Sequence, residues 1–247
     1  MKKYLIISAI FIAWWFSPAF AEENPQAALP VVLLELFTSQ GCYSCPPAEK
    51  LLGEDFARRP HVMALELHVD YWDDLVYGSA GAWKDPFSQN AFTRRQRDYN
   101  RKIRNTGSVF TPQVIVHGKY SASGTSQENI SSFLKKEQEI PPTARWVFSG
   151  DAENGFSARL EGTIRPGVDL VYAVFKLSEE TQVPSGENKG KLLISTNVVV
   201  NLKGQSLNDG RQLHLPKINP AEEGCAVWVQ RQSGGVISAA RCPEGVS

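Results

Sequence analysis

The chain has 247 residues, and its 26 basic and 26 acidic side chains give a formal net charge of zero. A chain with no net positive charge is not expected to be attracted to nucleic acid or to an anionic membrane surface. The length suits one large domain or two smaller ones, with enough apolar residues to build a hydrophobic core.

The first 21 residues have the three parts of a secretory signal peptide. A basic segment at residues 1–3 precedes the apolar run 4–16, and small residues follow at the two positions that signal peptidase recognises. The apolar run is short for a membrane span, and an uncleaved anchor is the alternative. We predict cleavage after Ala21, a periplasmic or secreted bacterial protein, and no membrane attachment of the mature chain.

The first half of the mature chain alternates predicted strands with predicted helices. Apolar, β-branched runs predict strands over Val31–Phe37, His61–Val69 and Val109–Val116. Helical spacing of apolar residues predicts helices after Pro46, over Ser88–Arg104 and over Glu128–Gln138. The many arginines of the second helix are typical of a solvated helix face.

From Pro141 the pattern changes to short alternating segments separated by Gly- and Asn-rich turns. Seven such segments predict an antiparallel, sandwich-like β region. Residues 184–191, PSGENKGK, are predicted to form a mobile polar loop between two of these strands. The fold class is therefore α/β, with one domain over residues 22–140 that contains a helical insertion at about 74–106, and a β-rich region over residues 141–247.

Two cysteines, Cys42 and Cys45, stand between the first predicted strand and the first predicted helix. The N-terminus of a helix stabilises a thiolate through its unpaired amides and its macrodipole, so Cys42 is placed to attack a disulfide. Cys45 follows about one turn later and is close enough to resolve a mixed disulfide. A C-x-x-C pair also occurs in zinc sites, but the chain has no second pair to complete one.

Other stretches of the sequence, taken together with this motif, resemble a known family. In Gly107–Lys119 a proline begins a predicted strand, and together with the C-x-x-C pair this pattern resembles the thioredoxin superfamily. The sequences ELFTSQGCYSCPPAE, at residues 35–49, and HVDYWD, at residues 68–73, are similar to those of an uncharacterised family of bacterial secreted thioredoxin-like proteins. The resemblance covers residues 31–140, apart from the insertion, and implies a thioredoxin-like domain.

The resemblance also implies a proton carrier for the cysteines. The buried acid of thioredoxins stands six residues before the first cysteine, whereas Glu35 stands seven before Cys42, so the match needs a longer turn. Burial raises the pKa of a carboxyl, and Glu35 is therefore predicted to exchange a proton with Cys45. Glu66, in the next predicted strand, could share that proton. The alternative is that both carboxylates are solvated or hydrogen-bonded at strand ends.

A client chain is expected to bind beside the cysteines. The thioredoxin family places a cis proline, here Pro112, where it offers backbone groups to a client by strand-like pairing. Residues at the carboxyl ends of parallel strands face the same edge of a sheet. The predicted client-binding residues are Tyr43, Ser44, His68, Tyr71, Trp72, Thr111 and Pro112. A packed histidine and an aromatic loop cap are the alternative interpretation of residues 68–72.

These residues predict an exported thiol–disulfide oxidoreductase. Its partners would be protein thiol or disulfide clients and a redox partner protein, and it would need no cofactor and no resident metal. Two alternatives come from other classes of protein. One is a copper or zinc chaperone that uses Cys42, Cys45 and His68. The other is a non-enzymatic binding module in which the Cys42–Cys45 bridge is structural.

The second pair of cysteines, Cys225 and Cys242, flanks a predicted β-hairpin. A two-residue turn at residues 233–234 places the two cysteines opposite each other. Counted outward from that turn, the pair falls on a non-hydrogen-bonded rung, where side chains approach most closely. We predict a structural cross-strand disulfide that does not turn over.

Overall fold

The structure of the chain is a computed structural model that describes residues 30–243, so the predicted signal peptide lies outside the described residues. Within residues 30–243 the fold is mixed α/β, with an eight-stranded sheet, a three-stranded sheet and three α-helices. In this range, no helix combines the length and the apolar character that crossing a bilayer requires. The elements in chain order are β1 Val32–Thr38, α1 Pro46–Glu54, β2 Val62–His68, α2 Asn90–Arg104, β3 Gln113–Val116, β4 Tyr120–Ser123, α3 Gln127–Gln138, β5 Ala144–Asp151, β6 Gly155–Gly162, β7 Val168–Gln182, β8 Leu192–Ser206, β9 Gln212–His214, β10 Glu223–Arg231 and β11 Val236–Arg241.

The large sheet is mostly antiparallel and has the strand order β11-β10-β7-β8-β2-β1-β3-β4. β1 and β2 are parallel, and β2 bridges β8 in parallel between Glu66 and Val198. β1 and β2 are buried along their whole length, which explains their continuous apolar sequences. The strands and helices predicted for the first half are confirmed, except that β3 begins at Gln113, four residues later than predicted, and β4 is an additional strand that pairs with β3.

The seven strands predicted for the second half are present as β5–β11, but their arrangement differs from the prediction. β7, β8, β10 and β11 extend the sheet that contains β1–β4, because β8 pairs with β2. β5, β6 and β9 form the separate three-stranded sheet, whose apolar side chains pack against β7 and β10. The sandwich-like part of the molecule is therefore smaller than predicted.

The alternation of side chains along β1 assigns each residue to one face of the large sheet. Leu33 and Phe37 pack in the same apolar cluster as Phe92 of α2. Leu34 and Leu36 belong to the cluster on the opposite face, together with apolar residues of α1 and α3. Full burial of one such side chain stabilises the fold by about 1.5–3 kcal/mol. Any polar residue of β1 must therefore face either α2 or α1.

The hairpin of β10 and β11 carries the disulfide between Cys225 and Cys242, whose Cα atoms are 5.2 Å apart. The predicted register is present from Ala226 opposite Arg241 onward, but two details of the prediction are wrong. The turn has three residues, 232–234, and not two, because the Arg231 amide donates to the carbonyl of Gly235. The extra turn residue shifts the pairing by one position, and a β-bulge at Gln230 compensates for that shift. The bulge shifts the ladder by one residue, so the cysteines fall on a hydrogen-bonded rung, with a 2.8 Å bond from the Cys242 amide to the Cys225 carbonyl.

Candidate functional site

The C-x-x-C motif lies between the carboxyl end of β1 and the start of α1. A disulfide joins Cys42 to Cys45, with 5.4 Å between the Cα atoms. The helix begins at Pro46, so Cys45 is its N-cap residue and Cys42 lies in the preceding turn, where its carbonyl accepts a 3.2 Å bond from the Cys45 amide. Proline suits the first helical position because it has no amide hydrogen to leave unpaired.

This geometry corrects the predicted source of thiolate stabilisation at Cys42. Pro46 and Pro47 have no amide hydrogen, and the amides of Ala48 and Glu49 are bonded to the Cys45 carbonyl at 2.9 and 3.2 Å. The first turn of α1 therefore has no free amide hydrogen that could bond to the Cys42 sulfur. The hydroxyl of Ser44 instead lies 3.4 Å from the Cys42 sulfur, within reach of a hydrogen bond.

Pro112 packs beside α1, as the resemblance implies. The Thr111–Pro112 peptide bond is cis. Gly124 lies between Pro112 and Ala48, and a Cβ placed on Gly124 would be 2.8 Å from the Cβ atoms of both residues. The start of β3 is therefore in close contact with the first turn of the helix that follows the motif.

Trp72 connects the motif to the proline. Its indole nitrogen donates a 2.8 Å hydrogen bond to the hydroxyl of Thr111, and its Cβ packs against Gly41. Tyr71 points instead towards α2, where its hydroxyl donates to the Gln96 side chain at 3.3 Å. Of the residues predicted to bind a client, the structure therefore brings Trp72 and Thr111 together at the motif, and the Tyr71 hydroxyl lies between Gln96 and this pair.

Exposure separates the remaining predicted client-binding residues. Tyr43 is 64% exposed and Ser44 is also exposed, so both are accessible to a client. His68 is fully buried, and the prediction that it lines a client groove is wrong. Pro112 is buried too, so its side chain contributes packing rather than an open binding surface.

Glu35 does not lie under the cysteines, and its predicted role as their proton carrier is wrong. It belongs to the face of β1 that packs on α2, whereas α1 covers the opposite face. The guanidinium of Arg95 binds both carboxylate oxygens, at 2.6 and 3.1 Å, and the Tyr99 hydroxyl donates a further bond of 2.5 Å. Glu35 therefore belongs to a buried ion pair that ties β1 to α2.

Other acids lie on the α1 side of the sheet, in a cluster that we call the buried acid cluster. Its members are Glu49, Glu66, His68 and Asp85, and all four side chains are buried. The two imidazole nitrogens of His68 lie 2.6 Å from Asp85 and 3.4 Å from Glu66. Glu49, which follows Cys45 by one helical turn, accepts a 2.5 Å bond from the hydroxyl of Thr38. Glu66 therefore faces His68 and cannot share a proton with Glu35.

The environment of the cluster sets its protonation. Burial, reinforced by the nearby Glu66 carboxyl, raises the pKa of Glu49 to about 8. Burial likewise raises the pKa of Glu66. Burial disfavours the charged form of His68, but Asp85 and Glu66 outweigh it and raise the pKa of His68 well above its usual range. At neutral pH the cluster therefore holds a protonated Glu49 close to an imidazolium–carboxylate pair.

The second half of the chain contributes directly to this site. The amide of Thr196, in β8, donates a 3.0 Å bond to the Glu66 carboxyl. The side chain of Asn188 donates bonds of 2.9 Å to the carbonyls of Gln40 and Cys42. Residues 184–191, predicted to be mobile, are thus packed on the motif, a contact for which the sequence carries no signal.

Several functional residues were missed from the sequence, and one of them could have been found. The position of Glu49, four residues after Cys45 in a predicted helix, places both side chains on the same helix face. Asp85 follows β2 in an irregular segment, so no periodic pattern relates it to His68. Arg95 lies among the arginines interpreted as a solvated face, yet it is 17% exposed and pairs with Glu35.

The metal-chaperone alternative predicts a metal site that includes His68. Among residues 30–243, no group of three His, Cys, Asp or Glu side chains is arranged to hold a metal ion. His68, the third ligand proposed for a copper or zinc site, has both of its nitrogens directed at carboxylates instead. The geometry of the described residues therefore does not support the metal-chaperone alternative.

The fold and site define a mixed α/β protein with a buried disulfide at the start of a helix and a cluster of buried acids beside it. A family model described as "Protein of unknown function (DUF1223)" matches residues 33–230, and the chain belongs to this family. It is also similar to the X-ray crystal structure of protein AGR_C_4864 from Agrobacterium tumefaciens, with a TM-score of 0.67 and 24% identity over 88% of this chain and 96% of that chain. That likeness concerns the fold alone. No curated protein matches the chain.

Proposed function

We propose that the chain is a periplasmic thiol–disulfide oxidoreductase that exchanges its Cys42–Cys45 pair with protein clients and a redox partner protein. The observation that carries this proposal is the position of the disulfide, which ends at the N-cap of α1 beside a buried, protonated Glu49. The two disulfides of the described chain are compatible with an oxidising compartment.

We infer that residues 22–140 form a thioredoxin-like domain and that residues 141–247 are an addition to it. The strand order β2-β1-β3-β4 supports this, with β1 parallel to β2 and antiparallel to β3. α1 and α3 pack on one face of these strands and α2 on the other. The motif follows β1, and Pro112 precedes β3, which are the positions that the thioredoxin resemblance implies.

In the proposed reaction the Cys42 thiolate attacks one sulfur of a client disulfide, which forms a mixed disulfide and releases the other client sulfur as a thiolate. The Cys45 thiolate then attacks Cys42, re-forms the bond between the two cysteines and releases the second client sulfur. Two electrons pass to the client, and the protons of Cys42 and Cys45 end on the two client thiols. The reverse sequence of steps oxidises a client dithiol.

Glu49 takes the role that the sequence suggested for Glu35. It lies on the same face of α1 as Cys45, and burial keeps its carboxyl protonated at neutral pH because its pKa is about 8. A carboxyl with this pKa can give a proton to the Cys45 thiolate when the disulfide opens and take it back when the disulfide closes. General acid–base catalysis of this kind contributes on the order of a hundredfold or more to a rate.

The test is the equilibrium reduction potential of Cys42–Cys45 in a glutathione series, with Cys225→Ala and Cys242→Ala removing the other bridge. A potential between about −120 and −270 mV is expected, which is the range of exchange catalysts. A potential below about −300 mV, typical of structural bridges, would contradict the oxidoreductase proposal. Circular dichroism of the double variant checks that the chain without its second bridge is folded.

One observation favours a second candidate, a binding module in which the bridge is structural. Cys42 and Cys45 are both 0% exposed, whereas exchange requires that a partner sulfur reach one of them. Under this alternative the potential lies below about −300 mV. Replacement of both cysteines by serine would also destabilise the chain strongly. The same titration therefore separates the two candidates.

A further inference from the structure

The loop between β7 and β8, residues 184–191, packs against the backbone of the motif. Asn188 is fully buried, and its side-chain nitrogen donates 2.9 Å bonds to the carbonyls of Gln40 and Cys42. The Glu187 carboxylate accepts a 2.8 Å bond from the amide of Tyr43. Side chains of the loop thus bind the backbone of the motif on both sides of Cys42.

Further contacts fix both ends of the loop. The Lys191 ammonium lies 4.3 Å from the centre of the Tyr43 ring, a cation–π contact. At the other end, the Gly186 amide donates a 2.9 Å bond to the Ala80 carbonyl, and the Ser185 hydroxyl donates a 2.6 Å bond to the Ala82 carbonyl. The loop therefore spans from the segment after β2, across the motif, to the start of β8.

We propose that the 184–191 loop is a gate that must leave the motif before any client can exchange with Cys42–Cys45. The proposal rests on the proposed function. Attack on a disulfide needs an approach to one of its sulfur atoms, and Cys42 and Cys45 are both 0% exposed with the loop in place. Two glycines, Gly186 and Gly190, bracket the segment that holds Glu187 and Asn188, and their φ angles of +78° and +85° lie in the left-handed region that glycine adopts without strain.

Opening the gate also changes the chemistry of Cys42. With the gate closed, Glu187 occupies the Tyr43 amide and places a negative charge beside the motif. With the gate open, that amide can donate to the Cys42 thiolate, and the neighbouring carboxylate is gone. Both changes favour the charged form of the cysteine, whereas departure of the Lys191 ammonium with the same loop acts in the opposite direction. The gate therefore couples access of the client to activation of the attacking sulfur.

The test is the rate at which dithiothreitol reduces Cys42–Cys45 in the full chain under pseudo-first-order conditions, followed by alkylation and peptide mapping. Asn188→Ala removes the two hydrogen bonds that this side chain donates to the motif, and it is expected to raise the rate on the order of twentyfold, since each lost hydrogen bond changes an equilibrium about fivefold. Lys189→Ala is the matched control, because Lys189 is exposed in the same loop and its side chain makes no contact with the motif. It should react at the wild-type rate.

Glu187→Gln keeps a bond to Tyr43 but removes the charge, so the pH profile of Cys42 alkylation in the reduced chain should move to lower pH. In the wild type, the reduction rate should also level off at high dithiothreitol concentration, where gate opening becomes limiting. An Asn188→Ala rate equal to that of the wild type would overturn the gate. The rate measurement tests the gate, and the reduction potential tests the proposed function. The two can fail separately, because a structural bridge with a potential below about −300 mV could still be reduced faster in Asn188→Ala.

Discussion

Replacement of Glu49 by glutamine should change how the stability of the chain depends on pH. The ordinary pKa of this carboxyl is 4.5, and burial raises it to about 8 in the folded chain. Between these two pH values the unfolded chain has released a proton that the folded chain keeps, so the free energy of unfolding falls as the pH rises. The stabilising contribution is complete below pH 4.5 and is lost by pH 8. Over that window the loss is on the order of 5 kcal/mol.

Glutamine has the shape of the protonated acid and no proton to lose, and its side-chain oxygen can still accept the bond from Thr38. Glu49→Gln should therefore lose less stability than the wild type between pH 5 and pH 8, by several kcal/mol. Urea unfolding followed by circular dichroism at several pH values measures this difference. Glu66 and His68 also have raised pKa values and titrate in both proteins, so the comparison reports the change that the Glu49 carboxyl brings to the cluster as a whole.

The matched control is Glu54→Gln, which changes a carboxylate of the same helix whose side chain is 63% exposed. Its pH profile should follow that of the wild type, because a solvated carboxylate contributes little to stability. If Glu49→Gln lost as much stability as the wild type between pH 5 and pH 8, Glu49 would already be ionised in the folded chain. The proposed exchange of a proton with Cys45 would then have no basis.

Two further changes test the packing around the site. Arg95→Gln leaves the Glu35 carboxylate buried without its cation and should destabilise the chain by about 3–5 kcal/mol in urea unfolding. The control is Arg94→Gln, on the exposed side of α2, which should have almost no effect on the free energy of unfolding. Equal effects of the two variants would refute a buried ion pair. Loss of the Cys225–Cys242 bridge, by alanine at both positions, should cost about 3 kcal/mol and leave the reduction potential of Cys42–Cys45 unchanged. A shift in that potential would show that the two bridges are coupled.

Local patterns in the sequence were sufficient to predict nearly every strand and helix. Continuous apolar runs marked β1 and β2, and alternating segments marked the seven strands of the second half. β4 was missed because YSAS, its four residues, has no apolar run and follows a tight turn. Which strands would share a sheet could not be predicted, because the pairing of β8 with β2 rests on a contact between Glu66 and Val198, far apart in the sequence.

The choice of Glu35 as the proton carrier failed for a reason of geometry. Both Glu35 and Glu66 lie in buried strands, and the sequence shows them as equivalent carboxylates among apolar residues. The two strands are parallel, with Leu36 opposite Glu66, so Glu66 shares a face with Leu36 and Glu35 points to the other face. The register between β1 and β2 decides which sheet face each acid occupies, and the sequence does not reveal this register. A shift of one residue would place Glu66 on the same face as Glu35.

The β-rich second half makes contacts at the site that its own sequence does not reveal. β8 supplies the Thr196 amide to Glu66, and Asn188, in the 184–191 loop at the end of the same hairpin, donates a hydrogen bond to the Cys42 carbonyl. Gly53 of α1 lies so close to Thr196 that a Cβ there would be 2.5 Å from its hydroxyl oxygen. One hairpin therefore contacts both the acids beside the disulfide and the backbone of the motif. A change that loosens the β7–β8 pairing should alter both together, since the same strand carries both contacts.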